Sequence, residues 1–263
     1  MKTMFGAFVM VLALAAAPVG AQPVTKVISS IDLSRPFVTR SAWTFTATQG
    51  PDVDDPTGSP GEKAPGAITL CLSRDSGRTC DPAVTAVMTK LFPEDIFDQP
   101  HFLLDARIEA LPGSRPFLWV RTGSFLSGDS DQRVVTQALV YDRVRDRFIS
   151  AYHHVDGHNN NQDVRYVTAG PLRGDIVTVE SPSGPPFTYV LTVSRMSARG
   201  VFRPILHYRT ATRYGDGNGL AVIDSDMANL ERHLGLWRPG LPLPLPASSC
   251  AKPHLVRMEL WCR

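Results

Sequence analysis

Apolar and polar residues alternate with a period of two along much of the chain, a pattern that predicts strands. Trp43, Thr44, Phe45, Thr46, Ala47 and Thr48 alternate throughout, and residues 133–141 do so in part. Further short runs at 67–72, 101–108, 117–120, 148–152, 164–167, 176–179, 188–193 and 205–208 are β-branched or aromatic and bounded by turn formers. Between positions 115 and 210 these runs recur about every dozen residues, which fits hairpins and is too short for crossover helices.

Two segments carry the helical period instead. Asp81 is placed to cap a helix with Pro82 at its first position, and Val84, Val87, Met88 and Leu91 then share a face. A second helix is expected to begin near Ser225. Met227, Leu230 and Leu234 would line its apolar face, Asp224 and Asp226 would complement its dipole, and Gly235 would stop it. No unit repeats at the period of a propeller blade. The expected fold is therefore mainly β: an antiparallel β-sandwich or irregular β-barrel with one or two short peripheral helices.

The ends read differently from the middle. Lys2, the uncharged apolar run 5–17, Pro18 and the small residues Val19, Gly20 and Ala21 follow the three-part pattern of an export signal. Residues 1–21 are thus expected to be removed, leaving a mature chain that starts at Gln22 in the periplasm or outside the cell. No later stretch is long and apolar enough to predict a transmembrane segment after cleavage. Residues 49–66, rich in Pro, Gly, Asp and Ser, are expected to form a flexible loop. Residues 22–240 are expected to form one mainly-β domain, followed by a Pro-rich tail at 241–263.

The 4 cysteines agree with export. The simplest pairing is local, Cys71–Cys80 and Cys250–Cys262, and it would close the tail covalently. Their spacing is not the clustered spacing of a zinc site. A hydrophobic fraction of 43% excludes wholesale disorder, while 20 Gly and 22 Pro argue against a helical bundle. The 27 basic and 25 acidic residues give a net charge of +2. They are interleaved, as in 142–147, which reads as a solvated hairpin surface. Without a basic stripe, nucleic acid is not an expected partner.

The densest polar cluster holds His153, His154, Asp156, His158, Asn160 and Asp163, and the strand pattern around it predicts a hairpin tip. Imidazoles can bind metal or act as a general base near neutral pH. The run lacks an H-x-H element, and the alternative is a long polar turn rich in Asn and Asp. A second cluster runs from Arg213 through Asp216 and Asn218 to Asp224. Asp216 and Asn218 match the first and third positions of a calcium loop, but Leu220 and Ala221 fail its fifth and its glycine. His153, His154, Asp156, His158, Asn160, Arg213, Asp216, Asn218 and Asp224 together form the candidate binding surface, should the two turns meet. There is no G-x-S-x-G elbow, and no motif requires a cofactor. The leading expectation is an exported, non-catalytic binding or structural domain with an envelope or extracellular ligand. The alternative is a metal-dependent or histidine-based hydrolase with its site at the 153–163 hairpin.

Overall fold

The computed structural model describes residues 25–84, 99–111, 113–127, 132–157, 162–181, 188–213, 218–236, 238, 240, 254–256 and 259–261. The leader, Cys250, Cys262, and Val87, Met88 and Leu91 of the first expected helix lie outside these residues, as do His158, Asn160 and Asp216.

The first strands are β1 (Lys26–Asp32), β2 (Thr44–Gln49) and β5 (Ile68–Ser73), with the single turn of helix α1 (Ser34–Phe37) between β1 and β2. They form an antiparallel sheet in the order β1-β2-β5. Between β2 and β5, within the 49–66 segment, β3 (Val53–Asp54) pairs with β4 (Lys63–Ala64). The Asp55 carboxylate accepts the Thr57 and Gly58 N–H groups at the tip of that ladder.

Two meanders follow. Strands β6 (Phe102–Glu109), β7 (Phe117–Leu126), β8 (Gln132–Asp142) and β9 (Arg147–Gly157) pair in sequence order into a middle sheet. Strands β10 (Asp163–Tyr166), β11 (Ile176–Glu180), β12 (Thr188–Met196) and β13 (Phe202–Arg213) do the same in a third sheet. The hairpin spacing read between positions 115 and 210 is realised in both.

The sheets stack because their side chains leave no other way to bury them. One face of the middle sheet packs Leu118, Val120, Leu139 and Phe148 against Leu33, Phe37, Trp43 and Phe45 of the first sheet region. Its other face packs Phe117, Trp119, Ala138 and Val140 against Val164, Tyr166, Ile176 and Phe202 of the third. A strand buried on both faces loses its alternation. That is why only 117–120 of β7 was legible as a strand. The outer face of the third sheet places Val177, Val179, Leu191 and Val193 under Val222, Ile223, Met227 and Leu230 of helix α2 (Gly219–His233). The layers are sheet, sheet, sheet and helix, an antiparallel β-sandwich architecture. A last hairpin pairs β14 (His254–Val256) with β15 (Glu259–Trp261).

Helix α2 corrects the expected start at Ser225. Asn218 is its N-cap, its side chain accepting the Ala221 N–H at 3.0 Å. The helix thereby gains Val222 and Ile223 for its apolar face. Asp224 and Asp226 lie beyond the first turn and are buried, so they do not serve the helix dipole. Gly235, at φ +70°, does lie just past the helix end. At the other expected helix, Asp81 bridges to Leu72 and its carboxylate accepts the Ala83 N–H, with residues 82–84 in a turn.

Cys71 and Cys80 are joined, with Cα atoms 5.0 Å apart. The loop they close is also held by Ser73 and Asp75. Ser73 Oγ donates to Asp75 at 2.6 Å, and Asp75 accepts the Thr79 N–H at 2.9 Å. Replacing both cysteines with serine is expected to lower the unfolding free energy by about 2 kcal/mol, chiefly by freeing the unfolded chain. Denaturant melts of the oxidised protein and the double variant measure it; an unchanged midpoint would contradict the constraint.

Candidate functional site

The histidine cluster does not sit on a hairpin tip. Strand β9 continues through His153, His154, Val155, Asp156 and Gly157, paired residue for residue with β8. β9 and β10 belong to different sheets, so the segment after Gly157 crosses from the middle sheet to the third. The crossing is tied by Gln162, whose side chain accepts the Gly157 N–H at 2.7 Å.

The facing of these residues is set by a β-bulge. Ala138 pairs with Tyr152 and Leu139 with Ser150, so Ala151 is an extra residue on β9. The bulge restarts the alternation and turns Tyr152 toward the third sheet, the side on which Ile149 also lies. His154 and Asp156 follow on that side by the period of two. His153 points the opposite way. Thus the two neighbouring histidines do not share a site.

Between the middle and third sheets, His154 Nε2 lies 3.0 Å from Asp156 Oδ1 and 3.6 Å from Glu180 Oε1 of β11. Asp156 is buried, and among the described residues neither of its oxygens has an aligned hydrogen-bond donor. Thr136 Oγ1, opposite His154 on β8, and the Tyr152 hydroxyl are likewise buried without a hydrogen-bond partner among the described residues. Tyr152 stacks between Trp119 and His154, with ring centroids 6.5 and 6.4 Å away. Nearby, Arg121 of β7 meets Asp163 at 3.0 Å, a second polar link between the sheets.

Burial alone would push the His154 imidazole toward its neutral form. The Asp156 carboxylate beside it, helped by Glu180, outweighs burial and holds the pKa above its ordinary value. Burial first, then the charges of Asp156 and Glu180, raise the Tyr152 phenol strongly. Asp156→Asn is expected to leave burial in control, so the His154 pKa falls below 6.5. An NMR titration of the imidazole reads this directly; an unshifted midpoint in the variant would break the assignment.

The other candidates separate. Asp224 pairs with Arg165 on the α2 side of the third sheet, while His154 faces the opposite side of that sheet. Asn218 is used as the α2 cap. The Arg213 side chain lies outside the description. Among the described residues, then, the two turns do not build one shared pocket. No three His, Cys, Asp or Glu residues among those described are arranged to hold a metal ion. No helix among them is long and apolar enough to cross a membrane.

The feature that sequence reading missed is a cleft of about 770 Å³. It is lined by residues 147–153 of β9, by 201–204 at the start of β13, and by 81–83 and Ser194. Seven consecutive residues of one strand alternate in direction, so a cleft that touches all of them runs along the strand's edge. β9 and β13 are each the last strand of their sheet, and the cleft opens where these two edges part. Most of its open surface is apolar, with Ile149, Ala151, Phe202 and Pro204, while Asp81, Arg147, His153 and Arg203 bring charged and polar groups to it. Among the described members of the predicted surface, His153 is the one that lines it. No family model, curated protein or solved structure matches the chain.

Proposed function

We propose that the chain is an exported, non-catalytic domain that binds an envelope or extracellular ligand in the cleft between β9 and β13. The observation that carries the reading is the cleft itself. Its volume is in the range of ligand sites, and its mainly apolar walls are bordered by Asp81, Arg147, His153 and Arg203. The export-like leader supports placement outside the cytoplasm, and the Cys71–Cys80 bridge favours an oxidising compartment. The neutral fluorescent probe N-phenyl-1-naphthylamine should bind the protein. Val201→Trp, which fills the cleft from its loop side, should weaken that binding at least tenfold at an unchanged Tm. Binding that is indifferent to Val201→Trp would move the ligand seat elsewhere.

One observation favours a second reading, a histidine-based or metal-dependent hydrolase: the buried Asp156 carboxylate beside the partly exposed His154. Such a pair orients and charges an imidazole for acid–base work. Among the described residues no hydroxyl or thiol is hydrogen-bonded to His154. Stoichiometric zinc, copper or iron in untagged protein would favour this reading over the first.

A further inference from the structure

A second cavity, of about 580 Å³, adjoins the cleft: Ile149 lines both. Among the described residues its lining includes Arg115, Arg143, Arg145 and Arg199, against one carboxylate, Asp142. These arginines come from separate turns. Arg115 precedes β7, Arg143 and Arg145 form the β8–β9 turn of the middle sheet, and Arg199 forms the β12–β13 turn of the third. Asp142 is already engaged, with its carboxylate 3.1 Å from Arg145 Nη1. Among the described residues, Arg115, Arg143 and Arg199 have no carboxylate partner. The β12–β13 turn is shaped to admit Arg115. Gly200 has φ +78°, and a Cβ there would meet Arg115 Nη1 at 3.1 Å. Four exposed arginines and one carboxylate, itself engaged by Arg145, leave this cavity net positive among the described residues and attractive to an anion.

We infer that the ligand of the cleft is a monomeric anionic amphiphile, with its apolar body between β9 and β13 and a phosphate-like head among Arg115, Arg143, Arg145 and Arg199. The inference rests on the cleft being the ligand seat and adds the chemistry of the ligand. Guanidinium groups suit a head with several acceptor oxygens, since each offers paired donors in a fixed fork. Ile149 marks where the apolar body would give way to the charged head.

Dodecyl phosphate below its micelle concentration is the probe, measured by calorimetry beside dodecyl maltoside and inorganic phosphate. Dodecyl phosphate should bind at least tenfold more tightly than either. The advantage over the maltoside should shrink with added salt and vanish in the double variant Arg143→Gln, Arg199→Gln. Both positions are exposed turn residues, so the fold is retained, and the variant should bind N-phenyl-1-naphthylamine as the natural sequence does. Equal affinity for dodecyl maltoside, or an advantage that survives the double variant, would overturn the inference and leave the cleft reading standing. Inorganic phosphate binding as tightly as dodecyl phosphate would overturn the joined site. Loss of the neutral probe's dependence on Val201 would instead strike the reading beneath it.

Discussion

Asp146→Ala is expected to remove about 3–4 kcal/mol of stability, since it deletes a carboxylate on which several buried or half-buried donors converge. Ser41 Oγ and the Tyr141 hydroxyl each donate to it at 2.6 Å, and Trp43 Nε1 donates at 3.1 Å. Arg74 stands 3.5 Å away. The residue thus ties the β8–β9 turn to the first sheet, and alanine would leave the buried Trp43 indole N–H without an acceptor. Asp146 also has φ +47°, which asparagine tolerates better than alanine. Asp146→Asn should therefore lose about half as much. The hydrogen bonds, Ser41 first, hold the carboxyl at a pKa of about 2, against 3.8 for a free group. Because the folded pKa is the lower one, the unfolded chain takes up the proton first as pH falls. The contribution is intact above pH 4 and lost between about 4 and 2, worth about 2 kcal/mol. Denaturant melts at pH 7 and pH 2.5 test both statements. A variant as stable as the natural sequence at pH 7 would make the network ornamental.

Asp146 also shows where the sequence stopped being informative. The charged run 142–147 reads as a solvated turn, and Arg143, Val144 and Arg145 are indeed exposed. Nothing local distinguishes Asp146 from them. Its role depends on Ser41 and Trp43, a hundred residues earlier in the chain. Strand positions were legible where one face alternates with the other, as in β2, and in the hairpin spacing of the two meanders. They were truncated in β7, which is buried on both faces, and in β9, whose second half carries histidines and an aspartate that look like turn residues. What pairs those residues into β9 is the matching apolar length of β8. The helix start is hidden for a related reason: Asn218 sits in a glycine-rich run that reads as a turn, while Ser225, which follows buried Asp224, resembles a cap.

The candidate site was legible only as composition. The sequence located the histidines but could not reveal the bulge at Ala151, which decides which of them faces the third sheet. Without that extra residue Ile149 and Tyr152 would lie on opposite faces, and His154 would lose its place beside Glu180. The cleft and the arginine cavity were invisible for a different reason. Each is assembled from strand edges and turns distant in sequence, so residues such as Arg115 and Arg199 carry no local mark. The one usable signal was that turns on a β-scaffold are where variable polar groups are presented.

Glu231→Gln is expected to stabilise the protein by about 3 kcal/mol at pH 8 and to leave it unchanged at pH 4. Glu231 lies on α2 with a relative exposure of 0%, and among the described residues neither carboxylate oxygen has a hydrogen-bond partner. A Cβ added at Gly170 would stand 3.9 Å from Glu231 Oε1. Burial pushes the carboxyl up to about 7 from an ordinary 4.5. The folded pKa is here the higher one, so between these values the folded chain holds a proton that the unfolded chain has released. Stability therefore falls as pH rises from 4.5 to 7 and stays low above it. Glutamine has the shape of the protonated acid and cannot ionise, so its variant should lack this decline. The difference between the two proteins isolates the group from Asp146 and His154, which titrate in both. A difference that is flat from pH 4 to pH 8 would mean that Glu231 finds a compensating charge, while one that grows between pH 4.5 and 7 would assign this loss of stability to the buried acid.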